Sequence, residues 1–181
     1  IWLQHVGTSY IEKAFMFAHQ ASPDAKLFYN DYGLETNPTK LKAVLSLLNS
    51  LKLKGVHIDG IGMQMHIDIN YTESSMIEEA VAEVAGNGYD VHLSEVDISL
   101  NPLGKDYLLN AKDLQAQAEL MHKIVRAYRN IPPHQQFGIT FWGISDRYSW
   151  IRTTYSRSDY PLLFDDQYQP KPIYCQLKQA L

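Results

Sequence analysis

The chain has 181 residues, of which 45% are hydrophobic and 20% are charged, and its formal net charge is −4. This composition argues against disorder, and the length is sufficient for a sizeable core. There is neither a basic stripe that would predict nucleic-acid binding nor an apolar run as long as a membrane span. The single cysteine, Cys175, excludes an internal disulfide framework.

Apolar spacing predicts helices and strands that alternate along the chain. Helices are predicted where apolar residues recur every three or four positions, at residues 8–20, 39–53, 73–85, 110–129 and 172–180. Strands are predicted at residues 26–31, 60–66, 90–97 and 137–142. Four strands that alternate with helices predict the α/β class, with a parallel sheet covered by helices.

Polar and aromatic side chains collect where the predicted strands end. In chain order they are Asn30-Asp31-Tyr32, Gln64-Met65-His66, Glu95-Val96-Asp97 and Trp142. Because carboxyl ends of parallel strands meet at one edge, as in barrel active sites, we expect these side chains to line one site. Alternation along a strand predicts that Gln64 shares a face with His66, and Glu95 with Asp97.

Glu95 is interpreted as a nucleophile or general acid-base, with a structural ion pair as the alternative. Asp97 and His66 are predicted to form a hydrogen-bonded relay that orients Glu95 and keeps it ionised. A lone His66 buried in the core is the alternative for that residue. Trp142 and Trp150 flank one loop, where they would either wall a sugar subsite or pack beneath the loop.

A metal site is a weaker interpretation. His57 and His66 each precede an aspartate by two positions, and His92 lies near Glu95, a pattern from which a barrel metallohydrolase gathers ligands. His57, however, is at the opposite end of its strand from His66. We therefore predict neither metal nor cofactor. The segment Asn70-Tyr71-Thr72 matches a glycosylation sequon, which we interpret as a chance match.

These strand ends resemble glycoside hydrolase family 10, the endo-β-1,4-xylanases. The matching segments follow family order and spacing over nearly the whole chain. They are Tyr29-Asn30-Asp31-Tyr32, residues 58–66, Ser94-Glu95-Val96-Asp97, residues 140–146, Ser149-Trp150, residues 161–165 and Lys171-Pro172.

The resemblance implies a (β/α)8 TIM barrel that hydrolyses xylan with retention of configuration. Glu95 matches the family's nucleophile, and His66 and Asp97 match residues that hydrogen-bond around it. The remaining matches are substrate-binding positions: Gln64, Trp142 and Trp150 on the glycone side, and Asn30 and Tyr32 on the strand bordering the cleft. The family also implies a secreted, periplasmic or cell-surface location.

The departures from the family are specific. Its acid-base glutamate follows an asparagine at the end of the fourth barrel strand, and no Asn-Glu dipeptide occurs in this chain. Gly33 also stands where the family usually has asparagine. We therefore expect residues 1–181 to be the C-terminal half of the catalytic domain, strands five to eight. The start, Ile1-Trp2-Leu3, fits an upstream segment or a processing or cloning boundary.

This interpretation predicts two partners, xylan or xylo-oligosaccharides and an N-terminal half-barrel that supplies the acid-base glutamate. A four-stranded half-barrel leaves strands 27–31 and 137–142 as open edges, and such edges invite pairing. Without the other half, we expect the chain to be inactive. A non-catalytic, xylan-binding half-barrel is the alternative from a different functional class.

Overall fold

A computed structural model describes residues 1–70 and 74–181. The helices in these residues are α1 (Trp2–Val6), α2 (Tyr10–Ala21), α3 (Pro38–Leu53), α4 (Ser74–Gly86), α5 (Ala111–Asn130), α6 (Trp150–Tyr155) and α7 (Pro172–Ala180). The strands are β1 (Phe28–Asp31), β2 (Gly60–Met63), β3 (His66–Asp68), β4 (Asp90–Ser99) and β5 (Gln136–Phe141). Tyr71 and Thr72 of the sequon lie outside the described residues.

The predicted alternation of helices and strands is confirmed, with two short helices, α1 and α6, that were not predicted and with differences in two of the strands. The predicted strand 60–66 is wrong as a continuous strand, because it breaks at Gln64-Met65 into β2 and β3. Met65 has a φ of 64°, a left-handed conformation that a strand cannot accommodate. The strand predicted at 90–97 extends to Ser99, which gives β3 a partner beyond the break.

All of the strand pairings are parallel. β2 lies between β1 and β4, β5 pairs with the other side of β4, and β3 pairs with the second half of β4. Within the described residues β1, β3 and β5 each pair with one strand only. Of these, β1 and β5 are the open edges that the sequence predicts.

The sheet packs against the helices through one of its faces. Ile61, Val91 and Leu93 are fully buried on that face, in a core shared with α3, α4 and α5. The opposite face, called the inner face below, carries Asn30 beside Gly62 and His92. None of the helices in the described residues combines the length and apolar character that a membrane crossing requires.

β4 contains a bulge at Ser94-Glu95 relative to both of its neighbours. β4 advances by four residues from Leu93 to Asp97, while the paired segment beside it advances by three, from Met63 to His66. On the other side, β4 advances by three residues from Leu93 to Val96 while β5 advances by two. One extra residue in a strand shifts the alternation of the side chains that follow.

The bulge determines where Glu95 points. Val91 and Leu93 face the helices, and strict alternation would send Glu95 to the same face. Because of the extra residue, it is Val96 and Ile98 that are buried in the core beyond the bulge, and Glu95 contacts the side chain of Asn30. The carboxylate is therefore turned to the inner face.

Gly62 makes room for the contact between β1 and β4. A Cβ atom at this position would lie 2.5 Å from Asn30 Oδ1 and 3.1 Å from its Cγ. Both distances are too short for an undisturbed contact. The missing side chain on β2 therefore lets the Asn30 side chain extend across the inner face toward β4.

Candidate active site

Both carboxylate oxygens of Glu95 are held by side chains from other strands, Asn30 of β1 and His66 of β3. Asn30 Nδ2 donates a hydrogen bond to Oε1 at 2.7 Å, and His66 Nε2 lies 3.3 Å from Oε2. The Glu95 side chain is only 13% exposed. An amide donor on one oxygen and an imidazole on the other fix the carboxylate in a single orientation.

His66 lies between two carboxylates. Its Nδ1 is 3.0 Å from Asp97 Oδ2, and Asp97 is almost fully buried. Burial alone would lower the pKa of His66, but the hydrogen bonds and charges of Asp97 and Glu95 outweigh it and raise the pKa above 6.5. The structure thus brings together the three residues predicted as a relay.

Trp150 anchors this group from the loop side. Its indole Nε1 donates to Asp97 Oδ2 at 2.7 Å, and its ring lies edge-on to His66 with 5.2 Å between centroids. Trp142 lies 6.4 Å from the same imidazole and remains 48% exposed. Trp150 therefore both packs against His66 and hydrogen-bonds to Asp97, while about half of the Trp142 side chain is exposed.

The other two predicted binding residues are placed differently. Gln64 contributes its backbone, since its carbonyl accepts from the Glu95 N–H at 3.1 Å and its own N–H donates to Asp31. The expected alternation of Gln64 with His66 does not apply, because Met65 interrupts the strand between them. Tyr32 is 66% exposed, and Lys40 Nζ lies 3.8 Å from the centre of its ring.

Ser94 belongs to the site and was not among the predicted site residues. Its hydroxyl donates to Asn30 Oδ1 at 2.6 Å. A signal for it is present in the sequence, because the apolar positions Val91 and Leu93 are followed by Val96 and Ile98. That spacing breaks strict alternation and leaves two consecutive polar residues between the apolar pairs.

A buried ion pair holds the loop that connects the two tryptophans. Lys171 Nζ lies 2.9 Å from Asp146 Oδ2 and donates to the carbonyl of Leu162. Asp146 Oδ1 accepts from the N–H of Leu162 at 2.7 Å. Burial raises the pKa of Asp146 to about 6 and lowers the pKa of Lys171. The pair thus fixes the loop to the start of α7.

The three histidines of the metal interpretation lie in separate surroundings. His57 Nε2 pairs with Asp59 at 3.1 Å, and His92 Nε2 lies 2.9 Å from Thr140 Oγ1. Burial lowers the pKa of His92. Within residues 1–70 and 74–181 no three His, Cys, Asp or Glu side chains are arranged to hold a metal ion. The metallohydrolase alternative gains no support from this part of the chain.

A parallel sheet wrapped by helices, with polar side chains gathered at the carboxyl ends of its strands, is the architecture of a (β/α)8-barrel enzyme. The model of the family "Glycosyl hydrolase family 10" matches residues 1–180. The chain belongs to glycoside hydrolase family 10.

Relatives and solved structures agree with this membership. The chain is 41% identical to endo-1,4-beta-xylanase A of Caldicellulosiruptor sp. (strain Rt8B.4), over 94% of this chain and 24% of that protein. It is 37% identical to endo-1,4-beta-xylanase of Geobacillus stearothermophilus, over 96% and 54%. Xylanase 10B of Thermotoga petrophila RKU-1, solved in complex with xylobiose, superposes with a TM-score of 0.90 at 35% identity, over 99% and 53%.

The chain thus spans about half or less of the proteins it resembles. The predicted TIM barrel, of which this chain forms about half, is confirmed.

Proposed function

We propose that residues 1–181 form the C-terminal half of the catalytic domain of a retaining endo-1,4-β-xylanase. Glu95 is the nucleophile in this proposal. The observation that carries it is the Glu95 carboxylate at the carboxyl end of the sheet, with Asn30 on one oxygen and His66 on the other. Similarity to endo-1,4-beta-xylanases supports the choice of β-1,4-xylosidic bonds in xylan as the substrate.

The proposed reaction has two displacement steps. A Glu95 oxygen bonds to the anomeric carbon while the bond from that carbon to the leaving oxygen breaks, giving a glycosyl-enzyme ester. A second glutamate, from the other half of the barrel, protonates the leaving oxygen and then takes a proton from the water that breaks the ester. Retention requires the two carboxyl groups to be about 5–5.5 Å apart.

The residues around Glu95 have distinct roles in this reaction. His66, held 3.0 Å from Asp97 through Nδ1, places its Nε2 3.3 Å from Glu95 and orients the carboxylate for attack. Trp142 offers its exposed indole as a stacking surface for a xylose ring. Gln64 and Tyr32 border the proposed cleft, and Gln64 also fixes the backbone of Glu95. No metal or cofactor takes part, so treatment with a chelator should leave the rate unchanged.

The second half of the barrel is the proposed protein partner. The edges β1 and β5 lie on opposite sides of the sheet, where an N-terminal half would pair with them. Association of two copies of this chain is the less favoured variant. Size measurement of the isolated chain tests this partnership. A stable folded monomer that hydrolyses xylan without the other half would overturn it.

Trapping of the intermediate tests the nucleophile. The complete barrel, this chain with the N-terminal half, is incubated with a 2-fluoro-xylobiosyl donor and digested for mass spectrometry. We expect one added fluoroxylobiosyl group on Glu95 and none in the Glu95→Gln variant. A label on another residue would refute the assignment. Xylan binding without labelling or hydrolysis would instead favour the non-catalytic alternative.

We also propose, from family membership, that the protein acts at the cell surface, in the periplasm or after secretion. Cell fractionation with an antibody to this chain tests the location. Recovery of the protein in the cytoplasmic fraction alone would contradict it.

A further inference from the structure

We propose that Ser94 is a positioning residue that keeps the Asn30 amide turned toward the nucleophile. The inference rests on the proposed role of Glu95. It concerns a hydroxyl one residue before the nucleophile, which the reaction described above does not use.

The three side chains form a directed chain of hydrogen bonds. Ser94 Oγ donates to Asn30 Oδ1 at 2.6 Å, and Asn30 Nδ2 donates to Glu95 Oε1 at 2.7 Å. An amide has one accepting end and one donating end, so a donor on Oδ1 leaves Nδ2 for the carboxylate. Asn30 is otherwise an exposed side chain, whereas Ser94 is only 9% exposed. The buried hydroxyl therefore anchors the exposed amide.

The anchor matters most when Glu95 has lost its charge. A free carboxylate selects the N–H end of the amide by itself, because it only accepts hydrogen bonds. Once Glu95 is esterified in the glycosyl-enzyme, that charge is gone and its attraction for the amide is weaker. Ser94 then holds the Asn30 donor in place. When water breaks the ester, the departing carboxylate of Glu95 forms against a donor that is already aligned.

The backbone of β4 is built so that this serine can reach Asn30. In a regular strand, consecutive residues point to opposite faces, and Ser94 would face the helices when Glu95 faces inward. The bulge puts both on the inner face, and Gly62 leaves the space between Ser94 and Asn30 open. The bulge and Gly62 thus both favour this one contact.

The test compares Ser94→Ala with Ser94→Thr in the complete barrel, using 4-nitrophenyl β-xylobioside. Loss of one neutral hydrogen bond corresponds to a decrease in kcat of about 3- to 10-fold, with KM nearly unchanged. The acidic limb of kcat/KM should move to higher pH in Ser94→Ala, because a carboxylate with a looser donor takes up a proton more readily. Ser94→Thr, which keeps a hydroxyl, should restore both values.

Ser99→Ala is the matched control, since Ser99 is a buried serine of the same strand whose hydroxyl bonds to Asp159. We expect it to lower the melting temperature without moving the acidic limb. Wild-type kcat and pH profile in Ser94→Ala, equal impairment in Ser94→Thr, or an equal shift in Ser99→Ala would each overturn the proposal. A 2-fluoro-xylobiosyl label on a residue other than Glu95 would overturn the proposed function itself. A label on Glu95, together with unchanged kinetics in Ser94→Ala, would overturn only the inference about Ser94.

Discussion

Gly62→Ala tests whether the Asn30 contact with Glu95 is required for activity. The new Cβ would lie 2.5 Å from Asn30 Oδ1, the far end of a flexible side chain, so the amide can move while the sheet stays intact. A shift of about 1 Å is needed to restore an ordinary contact distance of about 3.5 Å. That shift breaks the 2.7 Å hydrogen bond from Asn30 to Glu95.

The magnitude follows from the type of bond that is lost. A hydrogen bond to a charged group contributes about 1.5–3 kcal/mol. If the full amount is lost in the transition state, kcat/KM should fall by about 10- to 150-fold. The assay is hydrolysis of 4-nitrophenyl β-xylobioside by the complete barrel, with thermal denaturation measured in parallel.

Gly138→Ala is the matched control from the same face of the sheet. A Cβ at Gly138 would meet His92 no closer than 3.8 Å, which is an ordinary contact. Its kcat/KM should stay within a factor of two or so of wild type. Unchanged activity in Gly62→Ala would refute the reasoning, and so would a crystal structure of that variant in which Asn30 still reaches Glu95.

Three further predictions concern the groups around this contact. Trp150→Phe removes the indole donor from a buried carboxylate and should destabilise the barrel by about 1.5–3 kcal/mol in urea unfolding, and a change below 0.5 kcal/mol would contradict it. Lys171→Met leaves Asp146 buried and unpaired, which should lower the free energy of unfolding by about 3–5 kcal/mol. Lys178→Met, on the exposed side of α7, should leave that free energy unchanged. Similar losses of stability in both variants would argue against a stabilising Lys171–Asp146 pair. Burial lowers the pKa of His66, but the neighbouring carboxylates outweigh burial and raise the pKa above 6.5. The contribution of His66 to the free energy of unfolding is therefore full below pH 6.5 and is lost as the pH rises through the pKa of His66 in the folded protein. Titration of the His66 ring proton by NMR should give a midpoint above 6.5, and a lower midpoint would count against this arrangement.

The alternation of elements and the two edges could be predicted because they depend on local apolar spacing and on chain order. The meeting of Glu95, His66 and Asp97 could also be predicted, since strand ends converge in a parallel sheet. The break at Met65 could not, because an apolar residue flanked by polar ones is itself a strand pattern. Tertiary packing overrides that pattern and places Met65, fully buried, at φ 64°.

Contacts across the sheet could not be predicted from the sequence, for a different reason. The amide of Asn30 reaches Glu95 across 65 positions of the chain, and Trp150 reaches Asp97 across 53. Which side chain donates to which oxygen depends on register, and the register depends on the bulge. The bulge itself is indicated in the sequence by the spacing of Val91, Leu93 and Val96, which departs from the strict alternation of a regular strand.

The bulge makes β4 tolerant of a deletion that would ordinarily destroy a strand. Removing one residue from a buried strand usually reverses every side chain beyond the cut. Removing Ser94 would instead leave Leu93 and Val96 toward the helices and Glu95 inward, with β4 in step with both neighbours from Leu93 onward. The extra residue in β4 is thus the serine itself, and the strand would keep its nucleophile without it. A shortened β4 would fold around the same carboxylate and lack only the hydroxyl beside it.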